Sequence, residues 1–288
     1  RSTQAKTLFP YTTLFRSTTQ GVFAPAPIEE VVAFIKKEKP AVVFAPHVET
    51  SAGIILPDDY LKAVGDAVRS VNGLFVLDCI ASGAMWVDMK ACYVDVLITA
   101  PQKGWSSSPC CALIALGERA RERIESTQSS SFSMDLKKWL QIMEAYEKGG
   151  HVYHTTMATD ALKVLRNVMK ETQALGFAAL KEKQIELGTK VRNLLVSKGY
   201  SSVSAKGFQA PGVVVSYTKD PDIQSGKKFI ALGLQTAAGV PLQCDERPDF
   251  RTFRIGLFGL EKLAHVDRTV GHLEAALEKI TETEAQPA

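Results

Sequence analysis

The sequence has few cysteines, no long apolar run and almost no excess of charge. Its 34 Lys and Arg residues against 31 Asp and Glu residues give a formal net charge of +3, which is too small to indicate nucleic acid or an acidic membrane surface as a partner. The longest apolar stretch, around Ala41–Phe44, has the length of a strand and is far shorter than the ~20 residues that cross a bilayer. We therefore expect no nucleic-acid partner and no membrane partner.

An odd number of cysteines without a secretory signal argues against a disulfide framework. We therefore expect a reducing compartment and assign the protein to the cytoplasm. Cys110 and Cys111 are adjacent and lie in no CxxC pair or Cys/His cluster, so no metal site is predicted. We interpret both as small buried apolar residues. The five cysteines are Cys79, Cys92, Cys110, Cys111 and Cys244.

The first residues have neither helical nor strand periodicity. The segment Thr7–Ser17 reads TLFPYTTLFRS, which resembles the translation of a common sequencing adapter. It has neither the apolar core nor the Arg/Ser pattern of a targeting peptide. We therefore expect residues 1–17 to be an artefactual, non-native segment and the natural N-terminal part of the protein to be missing.

Apolar periodicity becomes regular from Ile28 onward and alternates between helical and strand patterns. Fully apolar strands separated by helices indicate a parallel sheet that helices cover on both faces. The predicted elements are helices over 27–40 and 57–73, strands over 41–47, 74–82 and 94–103, and a strand that runs into a basic helix over 111–124.

Beyond Gly150 the pattern changes to that of an α+β segment. We therefore divide the chain after the artefact into the remainder of a large domain with a linking helix (18–175) and a small C-terminal domain (176–288). The predicted elements are helices from about Met157 to Lys198 with an interruption near Gly176, strands over 213–217 and 252–257, a helix near Ile223–Leu232 and a closing helix from about Val266 to Ile280.

Polar residues follow each predicted parallel strand, and ligands of open α/β sheets bind at the carboxyl ends of strands. Asp78 ends an apolar strand, where a carboxylate needs a cationic partner. Lys103 lies 25 residues later (103 minus 78), at the end of the next strand. On spacing alone, however, Lys103 is more simply explained as a solvated loop lysine. The polar groups are His47–Ser51, Asp78–Ser82 and Gln102–Ser108.

Five motifs follow one another along the chain: HVETSAG (47–53), DCIAS (78–82), Gln102–Lys103, YHTT (153–156) and FRIGLFG (253–259). Their order and approximate spacing resemble those of class V aminotransferases. Within that class the chain resembles the alanine–glyoxylate and serine–pyruvate aminotransferases, from about Gly21 to Ile280. The resemblance implies an α/β fold of the PLP-dependent transferase fold type I, N-terminally truncated, with a mainly parallel sheet sandwiched by helices and a smaller α+β C-terminal domain.

The resemblance also implies roles for residues around the cofactor, pyridoxal 5′-phosphate (PLP). Lys103 would form the internal aldimine and then move the proton between Cα and the cofactor. Asp78 would keep the pyridine nitrogen protonated. Of the other residues, Ile80 would pack on the ring, Thr50 would bond near its 3′-oxygen, and Gln102 would reach the phosphate.

Three further residues are implied to act at the subunit contact or on the substrate. Tyr153 and Thr156 would bind the phosphate of the neighbouring subunit's cofactor, which implies a homodimer. Arg254 would hold the substrate carboxylate by a two-pronged hydrogen bond. The structural alternative for Arg254 is a salt bridge to a nearby carboxylate. For His47 a structural role is favoured over that of a general base, and for Trp105 both substrate contact and packing remain open.

The resulting functional prediction is a PLP-dependent transaminase that moves an amino group from alanine or serine to glyoxylate or pyruvate. One alternative is another class V reaction catalysed by a lyase, desulfurase or epimerase. A second alternative is a non-catalytic truncated fragment, because a Gly-rich phosphate loop and a ring-stacking aromatic residue, found in the N-terminal third of family members, are missing here. Thr50 replaces the commoner Ser and keeps the hydroxyl.

Overall fold

The computed structural model describes residues 15–17, 21–244 and 246–285, with side chains for 21–244 and 246–282. The strands are β1 (Phe15–Ser17), β2 (Phe23–Pro25), β3 (Val42–Pro46), β4 (Val48–Glu49), β5 (Ile54–Ile55), β6 (Leu74–Asp78), β7 (Val96–Thr99), β8 (Leu113–Leu116), β9 (Val213–Tyr217), β10 (Ala237–Ala238) and β11 (Thr252–Gly256). The helices are α1 (Ile28–Glu38), α2 (Asp58–Ser70), α3 (Glu118–Glu125), α4 (Leu136–Glu147), α5 (Thr159–Leu175), α6 (Phe177–Ser197), α7 (Pro221–Gln224), α8 (Lys227–Ala231), α9 (Leu260–Ala264) and α10 (Val266–Ala285).

These elements match the predicted ones closely in the described part of the chain. The helix expected near Ile223–Leu232 is divided into α7 and α8, because Gly226 between them has a φ of 81°, which interrupts a helix. Of the expected artefact, residues 1–14 lie outside the described residues, and β1 pairs antiparallel with β2. None of the described helices combines the length and the apolarity that a bilayer crossing requires.

The larger sheet has the strand order β3-β6-β7-β8. The strands β3, β6 and β7 are parallel, as predicted, whereas β8 runs antiparallel to β7. The register pairs Pro46 with Asp78, and Asp78 with Ile98. The carboxyl ends of the three parallel strands therefore meet at one rim of the sheet.

The two faces of this sheet are covered to different extents. The helices α1 and α2 close one face, where Val43, Phe75 and Leu77 join Ile35 and Leu61 in one apolar cluster. The other face is covered in part by α3, through Ala120 against Val76 and Val96. On that second face Phe44 stays 57% exposed. The α/β fold class is confirmed, with a mainly parallel sheet between helices.

The C-terminal region is built on a second sheet with the order β10-β11-β9, in which all pairs are antiparallel. Its β11 residues Phe253 and Ile255 pack into a core with α6 and α10. Arg254, between them, points to the opposite side and is half-buried. This alternation agrees with the predicted pattern of the strand.

A nearly buried ion pair joins the larger sheet to α3. Both carboxylate oxygens of Asp95 accept hydrogen bonds from Arg119 Nη1, at 3.0 and 2.9 Å. The carboxylate also accepts from the N–H of Phe75, and Arg119 Nη2 donates to the carbonyl of Gly73. The side chain of Asp95 is 4% exposed and that of Arg119 is 26% exposed. One carboxylate thus fixes the starts of β6, β7 and α3 together.

Removing the cation from this pair is expected to destabilise the fold strongly. Arg119→Met should lower the free energy of unfolding by about 3 kcal/mol, because the buried carboxylate of Asp95 loses its cationic partner. The control is Arg121→Met, which removes an exposed pair with Glu144 and should cost below about 1 kcal/mol. Urea unfolding of both variants measures the difference, and equal losses would contradict this account of Asp95.

Candidate active site

The carboxyl ends of β6 and β7 bring two of the predicted catalytic residues to one rim. Asp78 is the last residue of β6 and is exposed, and its Oδ1 atom accepts a 2.9 Å hydrogen bond from the N–H of Ile80. Lys103 lies in the turn at 101–105 that follows β7. Because Asp78 is paired with Ile98 of β7, both side chains belong to the ends of neighbouring parallel strands.

The ammonium group of Lys103 lies against an aromatic ring from the C-terminal region. Its Nζ atom is 5.5 Å from the ring centroid of Phe258, within the range of a cation–π contact. Lys103 is half-buried, and no carboxylate among the described residues forms an ion pair with it. Sequence reasoning quoted Phe258 within FRIGLFG but gave it no role, because nothing in its residue type indicates a contact 155 residues away (258 minus 103).

Two glycines allow the loops after β6 and β7 to touch. A methyl group on Gly104 would lie 2.4 Å from the backbone oxygen of Gly83, so neither loop could approach the other with a side chain there. Ser106, on the Lys103 loop, accepts a 2.8 Å hydrogen bond from the N–H of Leu260. A third loop, from the C-terminal region, is thereby fixed to the same place.

A buried amide ties these loops to α6. Gln184 is fully buried, and its Nε2 atom donates to the carbonyls of Pro211 at 3.2 Å and Leu257 at 3.3 Å. Its Oε1 atom accepts from the N–H of Ala84 at 3.4 Å. Sequence reasoning missed Gln184. The available signal was a polar residue within the apolar stripe of α6, four positions after Leu180.

His47 follows β3 and serves as a structural bridge on the same rim. The backbone N–H of His47 donates to the carbonyl of Asp78 at 2.8 Å, and the ring Nδ1 atom is hydrogen-bonded to the Ser82 hydroxyl at 2.7 Å. Burial, with a smaller contribution from the positive charge of Lys181, lowers the pKa of His47 to about 4. The imidazole is therefore neutral at pH 7, which suits a hydrogen-bonding role.

The three residues predicted to surround the cofactor lie on the loops of this rim. Thr50 is half-buried in the turn after β4, where the neighbouring Ser51 N–H donates to Glu49 Oε1 at 2.7 Å. Ile80 is half-buried, two residues after Asp78. Gln102 is exposed and precedes Lys103 in the same turn. The assignment of these three residues to cofactor contacts stays a prediction.

Tyr153 and Thr156 lie away from these loops in the chain, between α4 and α5. Their hydroxyls are 3.4 Å apart, and Tyr153 is 76% exposed. In the described part of the chain, no hydrogen bond joins either side chain to the loops of Asp78 or Lys103. The structure of one chain therefore does not bring them into the site, and their predicted role depends on a second subunit.

Arg254 lies in β11, the central strand of the smaller sheet, and its side chain is hydrogen-bonded to the edge strand β10. Its Nε atom donates a 2.8 Å hydrogen bond to the carbonyl of Ala238 in β10. Among the described residues no carboxylate forms an ion pair with Arg254. The structural alternative, a salt bridge to a protein carboxylate, is thus not found there. Within the described part of the chain, no hydrogen bond engages the Nη groups of this guanidinium.

Trp105, two residues after Lys103, takes part in an aromatic cluster. Its ring centroid is 5.1 Å from that of Trp86 and 6.3 Å from that of Phe177. Trp86 Nε1 donates to the carbonyl of Phe177 at the start of α6. Of the two interpretations left open by the sequence, the structure therefore provides direct contacts for packing between the Lys103 loop and α6.

The described residues contain no group of three or more His, Cys, Asp and Glu side chains that could hold a metal ion. The chemically reactive groups of the rim include the amine of Lys103, the carboxylate of Asp78, the imidazole of His47 and hydroxyls. This set suits an organic cofactor with an aldehyde and a basic nitrogen.

Comparison with known proteins gives sequence relatives but no match to a protein-family profile. The alanine–glyoxylate aminotransferase of Callithrix jacchus is 26% identical over 239 residues, which are 81% of this chain and 51% of the relative. That of Felis catus is 24% identical over 278 residues, 88% of this chain and 61% of the relative. The (S)-ureidoglycine–glyoxylate transaminase of Bacillus subtilis (strain 168) is 33% identical over 162 residues, 50% of this chain and 38% of the relative. The chain thus spans about half the length of these relatives.

Solved structures share the fold at lower sequence identity. An alanine–glyoxylate aminotransferase from Nostoc sp. superimposes with a TM-score of 0.74 at 22% identity, covering 87% of this chain and 65% of that chain. A ureidoglycine–glyoxylate aminotransferase from Bacillus subtilis gives a TM-score of 0.73 at 24% identity, covering 90% and 65%. These likenesses establish the fold.

The depressed pKa of His47 predicts a loss of stability in acid. Between about pH 6.5 and pH 4 the unfolded histidine takes up a proton that the buried one does not, so the free energy of unfolding should fall by up to ~3 kcal/mol as the pH decreases through this window. His47→Gln should remove this dependence, whereas the exposed control His151→Gln should keep it. Urea unfolding of the wild type and both variants at pH 7 and pH 4.5 measures how the stability of each protein depends on pH. The same dependence in all three proteins would refute the assignment.

Proposed function

We propose that this chain, which is related in sequence and fold to the class V aminotransferases, binds PLP and moves an amino group from a small amino acid to a 2-oxo acid. The amino donor would be alanine or serine, and the acceptor glyoxylate or pyruvate. The observation that carries the proposal is the position of Asp78 and Lys103 at the ends of neighbouring strands, with no ion pair to another described residue. The activity, substrates and partners are proposals, because the chain spans about half the length of its relatives.

The residues present fit this cofactor. Lys103 offers a primary amine in a half-buried turn, held by a ring and not by an acidic partner among the described residues. One carboxylate oxygen of Asp78 is engaged by the Ile80 N–H, which orients the group and leaves the other oxygen for a protonated ring nitrogen. When bound, PLP supplies an electron sink for negative charge at the substrate Cα.

Each rim residue then has a defined task. Lys103 would bind the cofactor covalently and, once released, carry the proton at its Nζ atom to and from the substrate. Asp78 would keep the pyridine nitrogen protonated. Ile80 would support the ring, the Thr50 hydroxyl would bond near its 3′-oxygen, and Gln102 would donate to the phosphate.

The smaller domain would supply recognition of the substrate. Arg254 is anchored through Nε to Ala238, so its planar guanidinium could present both Nη groups to a carboxylate. A carboxylate is the group that amino acids and 2-oxo acids have in common. One clamp would therefore serve both substrates of the transfer.

We further propose a homodimer, in which Tyr153 and Thr156 bind the phosphate of the partner's cofactor. The region around α4 supports this proposal because it exposes large apolar side chains, of the kind that protein interfaces cover. A cytoplasmic location is also proposed, supported by five cysteines that are all free. The exposed side chains are Phe132, Met134, Met143, Tyr146, Val152 and Tyr153.

The test of the proposed function is covalent attachment of PLP to Lys103. The full chain is incubated with PLP and reduced with borohydride, and the modified peptides are mapped by mass spectrometry. The label should be found on Lys103, and Lys103→Arg should reduce it to background. The control Lys262→Arg changes a nearby lysine whose Nζ donates to the carbonyl of Phe258, and it should keep the label. Labelling of other lysines at an equal level would refute the proposal.

A second test concerns Arg254. In the PLP-loaded protein, Arg254→Lys should raise KM for the amino acid and for the 2-oxo acid alike, by about 10-fold or more, because a two-pronged charged hydrogen bond is lost. The turnover number should change much less, since the interaction is made equally in the ground state and the transition state. The control is Arg251→Lys, because the guanidinium of Arg251 donates to the carbonyl of Lys219. Wild-type KM values in Arg254→Lys would remove this residue from the site.

A further inference from the structure

Two adjacent thiols lie side by side just before β8. The Sγ atoms of Cys110 and Cys111 are 3.8 Å apart, and both residues are half-exposed. The interpretation of these two cysteines as buried apolar residues was therefore wrong, because the loop that carries them runs along the surface before the chain enters the sheet. The other three cysteines are buried. Neither the proposed reaction nor the core uses this pair.

The chain on both sides of the pair is restrained. Pro109, with its fixed φ, precedes Cys110. Two residues after Cys111, Leu113 begins β8 and is paired with Thr99 of β7. The two cysteines are adjacent in sequence, and the chain on both sides of them is restrained. The protein therefore loses less conformational freedom when one ligand binds both sulfurs.

We propose that Cys110 and Cys111 form a chelating dithiol site for trivalent arsenicals, that is, for a soft three-coordinate centre that takes two thiol sulfurs. Soft centres prefer sulfur ligands. A structural zinc ion requires four protein ligands, and the described residues contain no cluster of even three potential metal ligands. This inference is independent of the proposed function.

A disulfide between the two cysteines is the less favourable product. Neighbouring Cα atoms are about 3.8 Å apart across a trans peptide, which is shorter than the roughly 4.4–6.8 Å that disulfides adopt. The two sulfurs would also have to close to about 2 Å. An arsenic atom bonds each sulfur separately and holds the two farther apart, so the existing separation of 3.8 Å needs a smaller adjustment.

The reaction involves no change of oxidation state. With phenylarsine oxide, both S–H bonds break, two As–S bonds form, and the oxygen leaves with both thiol protons as one water molecule. Burial raises the pKa of Cys111 to about 11, and the neighbouring thiol contributes in the same direction. The group is therefore mainly protonated at neutral pH, so attack on arsenic proceeds through a small thiolate fraction and adduct formation is slow, while the thiol protons leave with the oxygen as water.

The test uses phenylarsine oxide with the purified full chain and intact-mass spectrometry. One arsenical should bind per chain with loss of one water molecule. The adduct should resist an excess of a monothiol and be reversed by a small dithiol. Cys110→Ser and Cys111→Ser should each reduce the monothiol-resistant adduct at least 10-fold. The control Cys92→Ala, which changes a buried cysteine, should retain it.

Two outcomes would overturn the proposal. In the first, the adduct of the wild-type chain is removed by the monothiol, which would indicate attachment through single sulfurs. In the second, the resistant adduct persists in either serine variant. Peptide mapping of the wild-type adduct should place the arsenic on the peptide that contains both cysteines. Near-native circular dichroism spectra of the two serine variants would exclude unfolding as the cause of lost binding.

Discussion

The buried amide of Gln184 holds together the loops from which the proposed site is assembled. Its three hydrogen bonds reach Ala84, Pro211 and Leu257, which are 100, 27 and 73 residues away along the chain. A buried amide that lost these partners would leave two carbonyls and one N–H unsatisfied in a region without solvent. The approach of Phe258 to Lys103 therefore requires α6 to be docked. The geometry of the site therefore depends on the packing of α6 against these loops.

The elements of the fold could be predicted from local patterns. Continuous apolar runs such as that of β6 have the length and composition of strands covered on both sides, and the helical spacing from Ile28 is clear. The position of Asp78 and Lys103 at strand ends followed from the parallel topology, because parallel strands place their carboxyl ends together. The roles of these residues could not be obtained in that way and came from resemblance.

Other features depend on contacts that local patterns do not encode. The direction of β8 could not be predicted, since an apolar strand reads the same whether it pairs parallel or antiparallel. The position of Phe258 over Lys103 arises from packing between segments that are far apart along the chain. The half-exposure of Cys110 and Cys111 reflects the path of a loop, which residue hydrophobicity alone does not determine. Gln184, in contrast, could have been noticed in the sequence, because it is a polar residue at a position where the apolar stripe of α6 predicts an apolar one.

The contact between Gly83 and Gly104 restricts how this site can change in evolution. A side chain at position 104 would meet the backbone oxygen of Gly83, and no substitution removes a backbone atom. A side chain at position 83 would meet Gln184 Oε1, with a methyl group at 2.6 Å, and φ there is 64°. Compensation by a smaller neighbour is therefore closed at position 104, and at position 83 the positive φ still disfavours a side chain even if residue 184 becomes smaller. Sequences that diverge here must keep both glycines or rebuild a whole loop, so the two positions should change together with loop length and not one residue at a time.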